Sequence, residues 1–164
     1  MRLNNRSKKG FYNFLATFLL MVMFFGVIAF LLERYKLKVV GEWLSLLFII
    51  IPILLLVIFY LRGKQIFEYD SDGEALNFKN SNVIIFLGKS LSDEFPKYKL
   101  LSYEIVNAII LKRLFITISS KKSHSVILKY DISYLTRKEI KDLKFSLSKV
   151  IRQNKELNRE EINS

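Results

Sequence analysis

The hydrophobic positions of this chain change period twice, and each change predicts a different kind of element. From Phe11 to Leu32 the run FYNFLATFLLMVMFFGVIAFLL holds 22 residues without a charge, and from Trp43 to Leu61 WLSLLFIIIPILLLVIFYL holds 19. As helices they would span about 33 and 28 Å at about 1.5 Å per residue, close to the roughly 30 Å hydrocarbon core of a bilayer. Pro52 lies inside the second run, a position a membrane helix tolerates better than a soluble one. Tyr12, Tyr35, Trp43 and Tyr60 mark the ends, where amphipathic rings settle at the interface. No other part of so short a chain could cover two such helices in a soluble core. The pattern therefore predicts a basic N-terminus over 1–10, a transmembrane helix over 11–32, a short external loop over 33–42 and a second transmembrane helix over 43–61.

Past Leu61 the pattern alternates. IFEYD sets Phe67 and Tyr69 on one face against Glu68 and Asp70, and ALNFK sets Leu76 and Phe78 against Asn77 and Lys79. NVIIFL is apolar on both faces. KYKLLSY, NAIIL, LFITISS and HSVILKYD continue as short β-branched or aromatic pieces. Period two over such lengths predicts six or seven half-buried antiparallel strands between Gln65 and Asp131, too close together for helical crossovers. The period then lengthens again. Thr136 with Glu139 three residues on forms a capping box, and Leu135 with Ile140 a hydrophobic staple. Ile140, Leu143, Leu147, Val150, Ile151 and Leu157 make one apolar stripe at helical spacing. A soluble domain over 64–157 is expected, with a frayed tail over 158–164.

Charge sets the expected orientation. Arg2, Arg6, Lys8 and Lys9 precede the first span and Arg62 and Lys64 follow the second, against Arg34, Lys36 and Lys38 between them. That bias places both termini and the soluble domain in the cytoplasm, at the cell (inner) membrane. The first run is longer than a signal-peptide core and is followed by Glu-Arg-Tyr-Lys rather than a small-residue cleavage site, so it reads as uncleaved. The net charge of +11 is shared between the membrane part and the domain, and proximity to an anionic leaflet accounts for it. No helix-turn-helix, zinc-finger or RNP-like pattern accompanies it, so nucleic acid is not the expected partner. Cysteine is absent, which removes disulfides, thiol nucleophiles and cysteine metal sites.

The segments EYDSDGEALNF, KLLSYEIVNAIIL and LKYDISYLTRKEIKDLKFSLSKVI, covering about residues 64–155, give the chain a resemblance. A transmembrane hairpin followed by a meander of about seven strands and one C-terminal helix resembles the small bacterial membrane proteins that carry PH-like (pleckstrin-homology-like) domains. The resemblance implies a membrane α-helical hairpin joined to a mainly-β, α+β domain. In it an antiparallel barrel of six or seven strands is closed by one amphipathic helix.

Three carboxylates around Gly73 in EYDSDGEALNFKN raise the question of a cation site. An EF-hand loop begun at Asp70 needs glycine sixth and glutamate twelfth, but those places hold Ala75 and Ser81. Ser71-Asp72-Gly73-Glu74 instead suits a hairpin turn. The same acidity argues against phosphoinositide binding, because related PH domains hold the headgroup with cations near this loop. The basic pairs Lys112-Arg113 and Lys121-Lys122 read as solvated charge at opposite ends of the meander. The terminal helix carries the sharper pattern. Arg137, Lys141, Lys144, Arg152, Lys155 and Arg159 fall within an arc of about 80° at 100° per residue. They form the candidate interaction surface, for anionic lipid or an acidic partner.

The lone His124 has no second ligand at metal spacing, and neither a Walker loop nor a GxSxG element is present. No catalysis, cofactor or metal is expected. The spans hold no ionisable side chain for a proton or ion path. The expected function is a membrane-tethered, non-catalytic interaction module that scaffolds or regulates a membrane complex or engages the adjacent lipid. The alternative is an accessory subunit of a transporter or secretion complex, bound through its hairpin.

Overall fold

The structure, a computed structural model, describes residues 1–37, 41–84, 88–120 and 124–163. Strand β1 (Arg2–Asn4) leads through a 3-10 turn into helix α1 (Lys9–Leu32), which ends in a π-helical turn over Glu33–Leu37. A short helix α2 (Glu42–Ser45) precedes α3 (Leu47–Leu61). Six strands follow: β2 (Ile66–Asp70), β3 (Ala75–Ser81), β4 (Leu91–Pro96), β5 (Leu100–Asn107), β6 (Lys112–Ser120) and β7 (His124–Asp131). Helix α4 (Arg137–Asn163) closes the chain, running past the expected start of a frayed tail.

The first ten residues are not a loose tail. Leu3 pairs with Tyr69 in an antiparallel β1–β2 ladder, so the helical hairpin is inserted between two neighbouring strands of one sheet. Asn5 locks the insertion. Its side chain donates to the Gln65 carbonyl at 2.8 Å and accepts from the Phe67 amide at 2.8 Å, satisfying backbone groups where the ladder ends.

Seven strands are present among the described residues, but they do not close into the expected barrel. They form a four-stranded sheet β1-β2-β3-β4 and a three-stranded sheet β5-β6-β7, both antiparallel. The physical reason lies at the corner. β4 ends on Pro96, which has no amide proton to offer a ladder, and a 3-10 turn (Lys97–Lys99) carries the chain to β5. Side chains join the sheets instead. The Tyr130 hydroxyl on β7 donates to Asp93 on β4 at 2.8 Å. Asn80 on β3, fully buried, donates to the carbonyls of Ile66 and Asp131 at 3.0 Å and accepts from the Asp131 amide at 2.9 Å.

Between the sheets, Phe78 stacks on Phe95 and Tyr130 with ring centroids 5.7 and 4.9 Å apart, and Tyr69 tilts against it at 5.0 Å. Leu143, Leu147 and Val150 of α4 are buried in the same core, at about 1.5–3 kcal/mol for each large apolar side chain. One strand lies outside the expected pieces, and two expected pieces need correction. LSDEFP is a strand, although its polar positions hide the alternation. In NAIIL the strand stops at Asn107, and residues 108–111 form a turn in which the Ala108 amide donates to the Leu111 carbonyl. Of NVIIFL, Asn82–Ile84 is not strand, and 85–87 lies outside the described residues.

Two helices are long and apolar enough to cross a membrane, spanning Arg6–Tyr35 and Trp43–Leu61, with mean hydropathy 2.7 and 3.1. They approach closely at Gly26, where an added Cβ would collide with the Phe48 carbonyl and crowd the Pro52 ring.

Candidate interaction surface

The acidic corner resolves into a turn. Gly73 has φ +72°, the left-handed conformation such a hairpin needs, and open space around it. Asp70 is held below the usual carboxylate range, first by the Asp72 amide and then by Arg2, whose guanidinium lies 2.8 Å away. Its charge is engaged locally.

Helix α4 starts as the capping box requires. The Thr136 amide donates to Glu139 at 2.6 Å, and the Glu139 amide donates to the Thr136 hydroxyl at 3.2 Å. Glu139 also meets Lys8 at 3.2 Å, which fixes the start of the helix to the base of α1. From there α4 runs the length of the domain. Ser146 bonds Tyr69 at 3.0 Å, Ser148 bonds Tyr103 at 2.9 Å, and Asn154 donates to the carbonyls of Lys97 and Leu100 at the far corner.

All six predicted cations are exposed on this helix. Arg152 is ion-paired to Glu156 one turn on, at 2.9 Å, so its charge is partly answered within the helix. Leu157 departs from the expected stripe. It is 57% exposed and, with Tyr98, lines a groove of about 590 Å³ at the far corner. The residue missed by pattern reading is Phe145. It is 74% exposed and flanks the basic arc, one turn from Lys141 and Lys149. Its signal was an aromatic placed off the apolar stripe.

At the other end the hairpin and domain interlock. The Tyr134 ring sits 5.0 Å from Tyr12 and 6.3 Å from Phe59, with the Arg62 guanidinium 4.8 Å above it. Its hydroxyl donates to the Phe59 carbonyl at 3.3 Å, and its own carbonyl accepts from Tyr12. Asp131 accepts from the Lys64 amide and from Arg113, each at 3.3 Å. These residues, with Tyr60 and Leu61, line a cleft of about 240 Å³. Burial lowers the Lys64 pKa, against the pull of Asp131 and Asp93. Of the remaining basic pairs, Lys112-Arg113 opens β6 at this end, and Lys121-Lys122 lies outside the described residues. His124 begins β7, exposed, with φ 56°.

The Glu139 contacts predict an acid response. Burial raises the pKa of this carboxyl, but the Thr136 hydrogen bonds and Lys8 outweigh it and hold the group below its ordinary value. Its stabilising contribution is complete above the unfolded carboxylate range and is lost as pH falls through the folded value. Thermal melts of Glu139→Gln should therefore match wild type in strong acid and fall below it at neutral pH. A constant gap across that range would refute the linkage.

No protein family, curated protein or solved structure matches this chain.

Proposed function

We propose that this chain is a two-span membrane protein with a PH-like domain. Both ends lie in the cytoplasm, and the protein works as a non-catalytic docking module that presents the basic face of α4 to an acidic protein partner. The membrane reading is supported by the spans, of whose apolar windows only 11% and 17% are buried within the protein. It is supported also by β1, whose pairing with β2 requires residues before the first span and after the second to lie on one side. The PH-like reading is supported by seven antiparallel strands followed by one C-terminal helix.

The observation that carries the docking role is the direction of α4. Its first turn is bound to the hairpin base and its last turns to the far corner. Arg137 and Arg159 are therefore about 33 Å apart along the axis. An anionic leaflet acts over about 8 Å at physiological ionic strength, so most of the stripe lies beyond its field. A cytoplasmic protein is the better fit, with Phe145 as its aromatic anchor.

Crosslinked pull-down from native membranes tests this. Changing the six cations to Gln should abolish capture of the partner. Phe145→Ala should weaken it about tenfold with unchanged folding. Capture unaffected by both changes would remove α4 from the role and leave the accessory-subunit reading, in which the hairpin does the binding.

A further inference from the structure

We infer that the β5–β6 turn, Ala108–Leu111, is a third membrane contact: an apolar finger that inserts beside the hairpin into the headgroup boundary of the same leaflet. The inference rests on the two-span reading above.

The turn is unusual in composition and in exposure. Hairpin turns are normally polar, with glycine, asparagine or aspartate, but this one reads Ala-Ile-Ile-Leu. Ile109 is fully exposed, and Ile110 is 42% exposed. Two β-branched residues facing water at a loop tip gain nothing for folding, whereas burial of each in an apolar medium is favourable.

Its place in the fold supplies the occupant. The turn projects beyond the ladder pair Asn107–Lys112, whose next neighbours are Arg113 and Asp131. Asp131 is the residue that receives Lys64, three residues after the end of α3. The Ile132 amide donates to Lys112 at 2.9 Å and Ser133 accepts from its amide at 2.9 Å, and Tyr134 then wedges against Phe59 and Tyr12. The root of the turn is thus level with the ends of the spans. At about 3.3 Å per residue, Ile109 and Ile110 reach roughly 7–10 Å beyond the Asp131 level. An interfacial apolar segment sits about 5–10 Å into the headgroup and acyl boundary. Lys112 and Arg113 follow immediately, where cations meet lipid phosphates. Val83, after β3, is buried with Tyr12, Ala16 and Leu19 of α1, so the domain also meets the first helix alongside its apolar run.

Because the native chain has no cysteine, single thiols report cleanly. The full-length protein would be reconstituted into nanodiscs of phosphatidylcholine and phosphatidylglycerol. An environment-sensitive fluorophore would be placed at Ile109→Cys, at Phe24→Cys in the first span and at Ser92→Cys on an exposed strand. Nitroxide lipids should quench the Ile109 probe several-fold more than the Ser92 probe, with a blue-shifted emission and weak quenching by aqueous iodide. An Ile109 probe as open to iodide as Ser92, or shielded from both quenchers, would overturn the finger while Phe24 still reports a span. Absence of nitroxide quenching at Phe24 would overturn the two-span reading itself.

Discussion

Replacing Asn80 by Ala should lower the melting temperature of the full-length protein by more than about 10 °C, measured by calorimetry in detergent. The side chain is completely buried and makes three hydrogen bonds, to the Ile66 carbonyl and to both the amide and the carbonyl of Asp131. Alanine removes all three at once, leaving the buried Ile66 carbonyl of β2 and the part-buried amide and carbonyl of Asp131 on β7 without this partner. Each buried group left without a partner costs about 1–3 kcal/mol, so the sum is about 3–5 kcal/mol after partial relaxation. That is a large part of the 5–15 kcal/mol that holds an ordinary domain together. Asn80→Asp should be no milder, since a carboxylate would face two carbonyls where an amide donated. Lys79→Ala, one residue away and exposed, supplies the comparison at about 0.5 kcal/mol or less. If the two melting temperatures fell together, the joining of the sheets through Asn80 would be wrong.

What could be read from the sequence follows from how much of each element's environment is local. The two long helices were legible because a run of 22 or 19 uncharged residues is extreme by itself. Helix α4 was legible because Thr136 and Glu139 announce its start and its stripe repeats over several turns. The six cations share an arc that is legible from the sequence because a helical arc needs only a period, and all six are exposed. Strand β1 could not be seen. Arg2, Leu3 and Asn4 are too few to show alternation, and they become a strand only because β2, more than sixty residues away, offers an edge. β4 was missed because it is an edge strand, with four of its six residues polar or Pro and only Phe95 buried. NAIIL misled in the opposite direction, since β-branched residues favour strands wherever packing is supplied, and here they form a turn. Asn5, Asn80 and Asp131 escaped notice for a different reason. A polar side chain that bridges distant backbone groups carries no periodic signal.

The neck between hairpin and domain should be equally sensitive at a single atom. Gly63 links α3 to β2 with φ +79°, and a Cβ there would overlap the carboxylate and Cβ of Asp131. An L-residue in the left-handed region costs about 1–2 kcal/mol, and a β-branched one more. Asp131 cannot move aside as a whole, because Asn80 holds both its amide and its carbonyl. Its side chain must rotate instead, which releases the Lys64 amide and Arg113 together. Gly63→Val should therefore loosen the neck between α3 and β2, while β1 keeps its pairing with β2, at a cost of about 3 kcal/mol. Trypsin supplies the readout, because Arg62 and Lys64 flank the glycine. In detergent the variant should be cut there many times faster than wild type, separating α3 from β2 in the chain. Gly63→Ala should fall between them. Gly73→Ala separates strain from crowding, since that glycine also has positive φ but nothing within 4 Å, and it should leave cleavage at the neck unchanged. Equal cutting in the valine variant and wild type would mean that the Asp131 contacts do not govern the neck. The neck would then be held by Tyr134 and its aromatic neighbours, alongside β1 and the Lys8–Glu139 pair, and Tyr134→Ala would become the change that exposes it.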